Sequence, residues 1–323
     1  MAALVLVLLL LGNSGLFGKT ADQYFSEAAT NLASAPVVKV NATYTQDGTR
    51  YAVNYTMQKD GGLTGSVTFK GSTDDLVAAG GKSWVKTDKA YWDNLGRTDP
   101  LAQKVLPGHW LVLPVGDALS HELQDSANSL RHAPPHTVLS KDGTQTTAGQ
   151  QTVRLSDPRI GDLYVTTSTP SRLVRLVYAP GYTDAGGVSG MDASLSYPET
   201  VKVTPPTEYF DPTDPHTLPA EYTVDNVTRG GCDQNGCAYT ITVRNHYGRA
   251  GGQATVTVNL STRPQGSTDL GSCSAPIPAV DYNQTENVAC TVRGAAWTNF
   301  YNAGTGTLEW YREATVHNPI WDD

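Results

Sequence analysis

Tyr51-Ala52-Val53-Asn54-Tyr55-Thr56-Met57, then Asp60-Gly61-Gly62, then Leu63-Thr64-Gly65-Ser66-Val67-Thr68-Phe69, is the stretch on which the fold turns. Apolar side chains stand at every second position of the first run and return at Leu63, Val67 and Phe69 in the second. A period of two puts them on one face of a strand. Asp-Gly-Gly between two such runs is a hairpin turn. Working outward, Val37 to Tyr44 alternates and begins the sheet, and Asp74 to Ala79 and Lys82 to Thr87 add two short strands. The string Gly80-Gly81-Lys82-Ser83-Trp84-Val85-Lys86-Thr87 ends this run, and Ala90-Tyr91-Trp92 follows another tight turn. Residues 36–95 thus read as one antiparallel meander. Ahead of it, Tyr24, Phe25, Ala28, Ala29, Leu32 and Ala33 recur at helical spacing, which predicts an amphipathic helix over Asp22 to Ser34.

Leu101 to Arg131 breaks the alternation. It reads as a helical turn at Leu101 to Leu106, an extended piece at Trp110 to Pro114 and a helix at Val115 to Leu130. Strands are expected again at Thr137 to Leu139, Gln151 to Leu155, Leu163 to Thr167, Leu173 to Tyr178 and Leu195 to Val203, with Gly186 to Gly190 as a loop. An insert at this place would lie across one face of the meander. Five prolines between Pro205 and Pro219 predict a stiff linker. Beyond it, strands at Tyr222 to Val227, Ala238 to Arg244, Gln253 to Leu260, Val288 to Val292 and Thr307 to Val316 have sandwich-like spacing. The expected organisation is 1–20 as signal peptide or N-terminal anchor, 21–204 as a first β domain, 205–219 as linker and 220–323 as an Ig-like β-sandwich.

The formal charge of the 323 residues is −8, and no Lys/Arg-rich run occurs, so nucleic acid is not expected as a partner. Ala2 to Leu11 is ten apolar residues in succession. With its weaker extension to Phe17 it reaches roughly 24 Å, short of a hydrocarbon core of about 30 Å. It suits a signal-peptide core or a truncated anchor whose basic flank lies upstream of the given start. No cysteine follows it, so no lipid-modified cysteine is expected.

Four cysteines, Cys232, Cys237, Cys273 and Cys290, lie in the last third and allow three pairings. Cys232 and Cys237 flank a turn whose Asn235-Gly236 favours positive φ, so they are expected to pair, leaving Cys273 with Cys290. In the loop-entropy picture these bridges contribute roughly 2 and 3 kcal/mol. A zinc site is disfavoured, because the spacing lacks a paired histidine set.

No chemical constellation survives inspection. His132-Ala133-Pro134-Pro135-His136, near His109 and His121, lacks accompanying carboxylate ligands. Asp117, Ser120 and His121 fall on one predicted helix, where a triad cannot converge. Gly-x-Ser-x-Gly, His-Glu-x-x-His and phosphate loops are missing. Neither an enzyme, a metal nor a cofactor is expected. Asn41, Asn54, Asn226, Asn259 and Asn283 open Asn-x-Ser/Thr triplets, of which a Thr-rich chain yields about three by chance, and Asn54 in mid-strand is not expected to be modified.

Residues 22–210 resemble the LolA/LppX-like family, which includes the periplasmic lipoprotein carrier and mycobacterial lipid-carrying lipoproteins. The likeness rests on Tyr24-Phe25, on Gly80 to Lys86 with Tyr91-Trp92, and on Gly108-His109-Trp110-Leu111-Val112-Leu113-Pro114. It continues at Thr147 to Val153 and at Pro170-Ser171-Arg172-Leu173-Val174-Arg175-Leu176. The resemblance implies a mainly β chain whose first domain is a half-open antiparallel barrel with a helical lid, ahead of the small disulfide-bearing sandwich. It also implies a bacterial, actinobacterial-type cell envelope and a lipid or acylated ligand. The two-domain arrangement is similar to that of a periplasmic envelope-stress regulator that senses lipoproteins, so transport is not the one role implied.

Candidate lining residues are Val53, Tyr55, Met57, Val67 and Phe69 from the sheet, with Leu119 and Leu123 from the insert helix. The competing reading is that these side chains fill a solid core. Two functions follow. One is extracytoplasmic binding or transport of lipid, exchanging with a membrane surface. The other is a membrane-anchored sensor or recognition protein whose C-terminal sandwich contacts an envelope protein or glycan.

Overall fold

Thr20 starts the first helix, α1 (Ala21–Ser34). Its hydroxyl accepts the Gln23 N–H at 3.2 Å and the Gln23 side chain takes the Thr20 N–H at 2.9 Å, a reciprocal capping box. Ala28 and Leu32 are buried on its inward stripe. The computed structural model describes residues 18–113, 139–248, 253–262, 268–304 and 308–322.

Five strands follow as a meander: β1 (Val37–Gln46), β2 (Thr49–Gln58), β3 (Leu63–Phe69), β4 (Ser72–Ala79) and β5 (Lys82–Lys86). Three of their joints are two-residue turns with positive φ at both positions: Asp47-Gly48, Lys70-Gly71 and Gly80-Gly81. That geometry matches the twist of the flanking strands. Tyr91 and Trp92, read from sequence as an extended continuation, instead sit on a short helix, α2 (Lys89–Asn94). The Asp88 carboxylate accepts the Tyr91 N–H at 3.0 Å and starts that turn, a local bond that competes with strand pairing.

A π-helical turn at Leu101–Val105 and β6 (Trp110–Leu113) come next. The expected helix over Val115 to Leu130 lies outside the described residues. Then come β7 (Ser140–Thr147), β8 (Gln150–Asp157), β9 (Gly161–Thr166), β10 (Leu173–Tyr178) and β11 (Val188–Ser196). α1 packs on β9 and β10. Two strands differ from expectation. β7 starts after Leu139, because an edge strand with seven of eight residues exposed carries no apolar alternation to read. β11 covers 188–196 and not 195–203, because the ladder with β1 pairs Val188 with Gln46 and Ser196 with Lys39.

The sheet has eleven antiparallel strands in the order β6-β5-β4-β3-β2-β1-β11-β10-β9-β8-β7, and it does not close. Ten of them lie wholly in a first compact unit, Met1–Asn94 with Leu113–Thr207. The second unit takes Leu95–Val112 with Glu208–Asp323, so it is discontinuous in sequence. Much of the proline-rich segment belongs to the second unit and is packed there. Phe210 exchanges backbone bonds with Trp110 (2.8 Å) and Val112 (2.9 Å), and Leu218 is buried.

The second unit contains β12 (Tyr222–Asp233), β13 (Gly236–Asn245), β14 (Thr255–Ser261), β15 (Asp269–Pro276), β16 (Thr285–Val292), α3 (Ala295–Ala303), β17 (Tyr311–His317) and α4 (Pro319–Asp322). They form two three-stranded sheets, β12-β13-β16 and β15-β14-β17. Cys273–Cys290 joins β15 to β16, and so one sheet to the other. Cys232–Cys237 closes the β12–β13 hairpin. Neither Asn235 nor Gly236 has positive φ, unlike the sequence expectation. The Asp233 carboxylate shapes the turn instead, accepting the Asn235 N–H (2.7 Å) and the Gly236 N–H (3.1 Å).

Candidate apolar binding face

The register of the meander builds one face in rows. Val38, Met57, Leu63, Ala78 and Ser83 form one row, and Val40, Tyr55, Gly65, Leu76 and Val85 the next. Ala42, Val53, Val67 and Asp74 form a third, and Tyr44, Tyr51, Phe69 and Ser72 the last. The other face carries Asn41, Asn54, Ser66, Asp75 and Lys86 in a single row. The apolar side is therefore defined by pairing, and a slip of one residue would invert it.

Val53, Tyr55, Met57 and Val67 are all buried on this inner face, and Phe69 is half-buried. The structure thus places the five predicted sheet residues together. Leu119 and Leu123 lie outside the described residues. Gly65 makes room for Tyr55: a Cβ there would come within 2.9 Å of the Tyr55 ring and 2.0 Å of the Asn54 carbonyl. The last row ends in an aromatic series. Tyr44 stacks on Tyr51 at 5.3 Å and Tyr51 on Phe69 at 5.7 Å. Tyr91 meets Phe69 edge-on at 6.2 Å, and Trp92 meets Tyr91 at 5.1 Å. Such pairs add about 0.5–1.5 kcal/mol each beyond the area they bury. Tyr44, Tyr51, Phe69 and Tyr91 are only half-buried, so this end of the face is open to contact.

Among these apolar side chains stands a carboxyl that the sequence reading did not single out. Asp74 is 2% exposed, and its Oδ1 lies 2.8 Å from the Ser72 Oγ, whose single proton it shares with Asp88 Oδ1, also at 2.8 Å. Burial pushes its pKa up to about 6; the Ser72 bond opposes the rise and the nearby Asp88 charge adds to it. Burial also drives the neighbouring Tyr55 phenol above its ordinary value, with Tyr44 and Asp74 adding to the effect. At Asp88 burial works the other way from the result. Hydrogen bonds from the Thr73 N–H, the Ser72 hydroxyl and the Tyr91 N–H overcome it and hold that carboxylate below its usual value. The available signal for Asp74 was its place in the alternation: Ser72, Asp74, Leu76 and Ala78 share one side of β4.

The other half of the sheet is closed by α1. Lys19 pairs with Glu27, whose Oε1 accepts the Ser171 N–H at 3.1 Å, and the Asn31 amide donates to the Ser171 carbonyl at 2.8 Å. The Lys19 bond, with the Ser171 N–H, keeps the Glu27 pKa below the usual carboxylate value. On this half a groove of about 650 Å³ runs past Arg154, Asp142, Ser156, Asp162 and Tyr178. Its walls combine apolar Pro158, Val177 and Pro180 with solvated ion pairs, Arg154 to Asp162 at 2.8 Å and to Asp142 at 3.7 Å, of small energetic weight.

His109 packs its ring on Phe210 at 4.8 Å. Asp117, Ser120, His121, His132 and His136 lie outside the described residues. No group of three or more metal-ligating side chains occurs among the described residues.

No family model matches the chain, and no curated protein matches it. Among the solved structures that match is the crystal structure of MucB in complex with MucA(peri). It is 14% identical, covers 79% of this chain and 92% of that chain, and has a TM-score of 0.27. At that score the likeness carries no argument about this chain.

Proposed function

We propose that the first unit binds a lipid or acylated ligand on the inner face of its open sheet, outside the cytoplasm and without catalysis. The observation that carries this reading is the aromatic end of that face. Buried aliphatic rows run into four half-buried aromatic rings on a sheet that does not close into a barrel. An acyl chain laid there gains about 0.8 kcal/mol for each CH₂ removed from water. A bilayer offers nearly the same, so cargo exchanges with a membrane at little net cost.

The compartment follows from Cys232–Cys237 and Cys273–Cys290, since such bonds persist in oxidising surroundings. No helix among the described residues is long and apolar enough to cross a membrane. The run Ala2 to Leu11 lies outside them, and export or anchoring through it is part of the proposal.

The test is native mass spectrometry of protein expressed through a membrane, followed by solvent extraction. Bound acyl species on the full chain are expected. Ligand-free protein that also fails to take up a fluorescent fatty acid would sink the reading. The second reading, recognition of a protein or glycan by the sandwich, draws on Tyr311, which is 50% exposed on β17. Binding to envelope extracts that disappears in Tyr311→Ala, with no lipid on the protein, would favour it.

A further inference from the structure

We propose that Asp74 and Thr87 form a polar anchor on this inner face for the uncharged hydroxyl head of an otherwise apolar lipid. The proposal rests on the lipid-binding reading of the same face.

The geometry is set by the β4–β5 ladder. Asp75 pairs with Lys86, so Thr87 continues β5 opposite Asp74. Asp74 stands two positions before the inner-face residue Leu76 and Thr87 two positions after Val85, so both share that face, and both are 2% exposed. Among the described residues the Thr87 hydroxyl has no hydrogen-bond partner. A buried polar group left unbonded carries a penalty that native structures rarely tolerate. Its neighbour across the ladder is a carboxyl that has accepted only part of what it can: the Ser72 hydroxyl and the Asp88 backbone N–H hold it, against about four acceptor positions. The Trp92 indole N–H, on the helix packed against β4, is also buried and without a partner among the described residues.

A hydroxyl fits this pair because it can donate to the Asp74 carboxyl and accept from Thr87. A carboxylate or phosphate head does not. The charged and titratable groups around Asp74 are Asp88, Asp75, Tyr55 and Tyr44, and none is basic. The nearby lysines point their charge elsewhere: Lys86 stands on the polar face beside Asp75, and Lys89 is held by Asp93 at 2.9 Å. An ammonium head would satisfy Asp74 but cannot accept from Thr87.

The test uses the full chain at pH 7.5 with diphenylhexatriene as a head-free probe, displaced by monooleoylglycerol, oleate or oleylamine. Monooleoylglycerol is expected to displace it at about tenfold lower concentration than oleate, the effect of one hydrogen bond to a charged group. Thr87→Val should bring that ratio close to one without lowering the melting temperature, because it removes a hydroxyl that has no partner among the described residues. Asp74→Asn keeps the shape and should also shrink the ratio, which covers the case in which the valine variant does not fold. Equal displacement by all three lipids, tighter binding of oleylamine, or an undiminished ratio in the variants would overturn the anchor. If the probe itself does not bind wild-type protein, the lipid reading fails and the anchor with it; if it binds without head preference, only the anchor fails.

Discussion

Among the described residues, the buried polar side chains of the second unit have hydrogen-bond partners, whereas some on the inner face of the first do not. In the second unit the indoles of Trp297, Trp310 and Trp321 donate to the Asp233 carbonyl, the Tyr239 hydroxyl and the Ala220 carbonyl at 2.7–3.0 Å. Buried Asn245 donates to the Gly248 and Val280 carbonyls, and buried Asn318 exchanges bonds with the Tyr222 backbone. In the first unit the Thr87 hydroxyl and the Trp92 N–H are buried without partners among the described residues, and burial makes the nearby Asp74 carboxyl hard to ionise. A domain that only needs to be stable has no reason to keep such groups. The contrast separates a pair of sheets packed on each other from a single open sheet that keeps unbonded polar groups among its described residues.

The largest expected effect belongs to the sealed core. Trp297 is fully buried and packs against Trp310 (5.2 Å), Tyr301 (5.8 Å) and Phe300 (6.0 Å). Trp297→Ala should cost about 3–5 kcal/mol. Hydrogen exchange should show the loss across the second unit with the β1–β5 meander still protected. Equal loss in the meander would mean that the two units do not unfold separately.

Next comes Cys273–Cys290, which ties the two small sheets together. Replacing both cysteines by Ala should cost roughly 3 kcal/mol in the chain-entropy picture. Non-reducing peptide mapping first checks the pairing, and thermal melting then reads the cost. A melt unchanged by reduction would show that the sandwich does not depend on its bridge.

Asp74 allows a pH test of the unfinished face. Its folded pKa, about 6, lies above its ordinary value of 3.8. The native state therefore binds more protons between these values, and this group's contribution to stability falls as pH rises from 4 to 6. Above pH 6 the penalty is fully present, on the order of 2–3 kcal/mol. Glu27, Asp88 and Asp99 have lowered pKa values and lose stability as pH falls, so the informative quantity is the difference between wild type and Asp74→Asn. The variant should be the more stable at pH 7.5, with the gap closing towards pH 4. A constant gap would remove titration of Asp74 as its cause.

The smallest structural effect is expected from Val67→Trp. Overpacking costs about 1–3 kcal/mol, and less where a face has room to accept a larger ring. Uptake of a fluorescent fatty acid should fall while the far-ultraviolet dichroism stays native. Full uptake by a folded variant would place the ligand away from the Val53–Val67 row.

Much of the fold was legible locally. Alternation at Tyr51 to Met57 and Leu63 to Phe69 marks strands because one face is buried and the other is wet. The same logic hid β7, where Lys141, Asp142 and Gly143 at a free edge bury nothing, and β15, where Gly271, Ser272 and Ser274 interrupt the alternation around Cys273. Helix α2 was hidden by its aromatic residues, which suit a strand as well as a helix. The inner-face residues Val53, Tyr55, Met57, Val67 and Phe69 were legible as a set. Asp74 was not, since a carboxylate within a strand ordinarily points to water.

By itself the sequence determined what period and spacing can carry: the meander, its polar and apolar sides, and the disulfide pairing of four cysteines, Cys232 with Cys237 and Cys273 with Cys290. The tertiary structure alone decided what non-local partners decide. It put β11 beside β1 through Gln46 and Val188, joined Leu95–Val112 with the C-terminal residues in one unit, and set Thr87 opposite Asp74. Local patterns record which side of a strand meets water, because burial acts on each residue. They do not record which strand lies alongside, because hydrogen bonds between backbones are alike whatever the side chains.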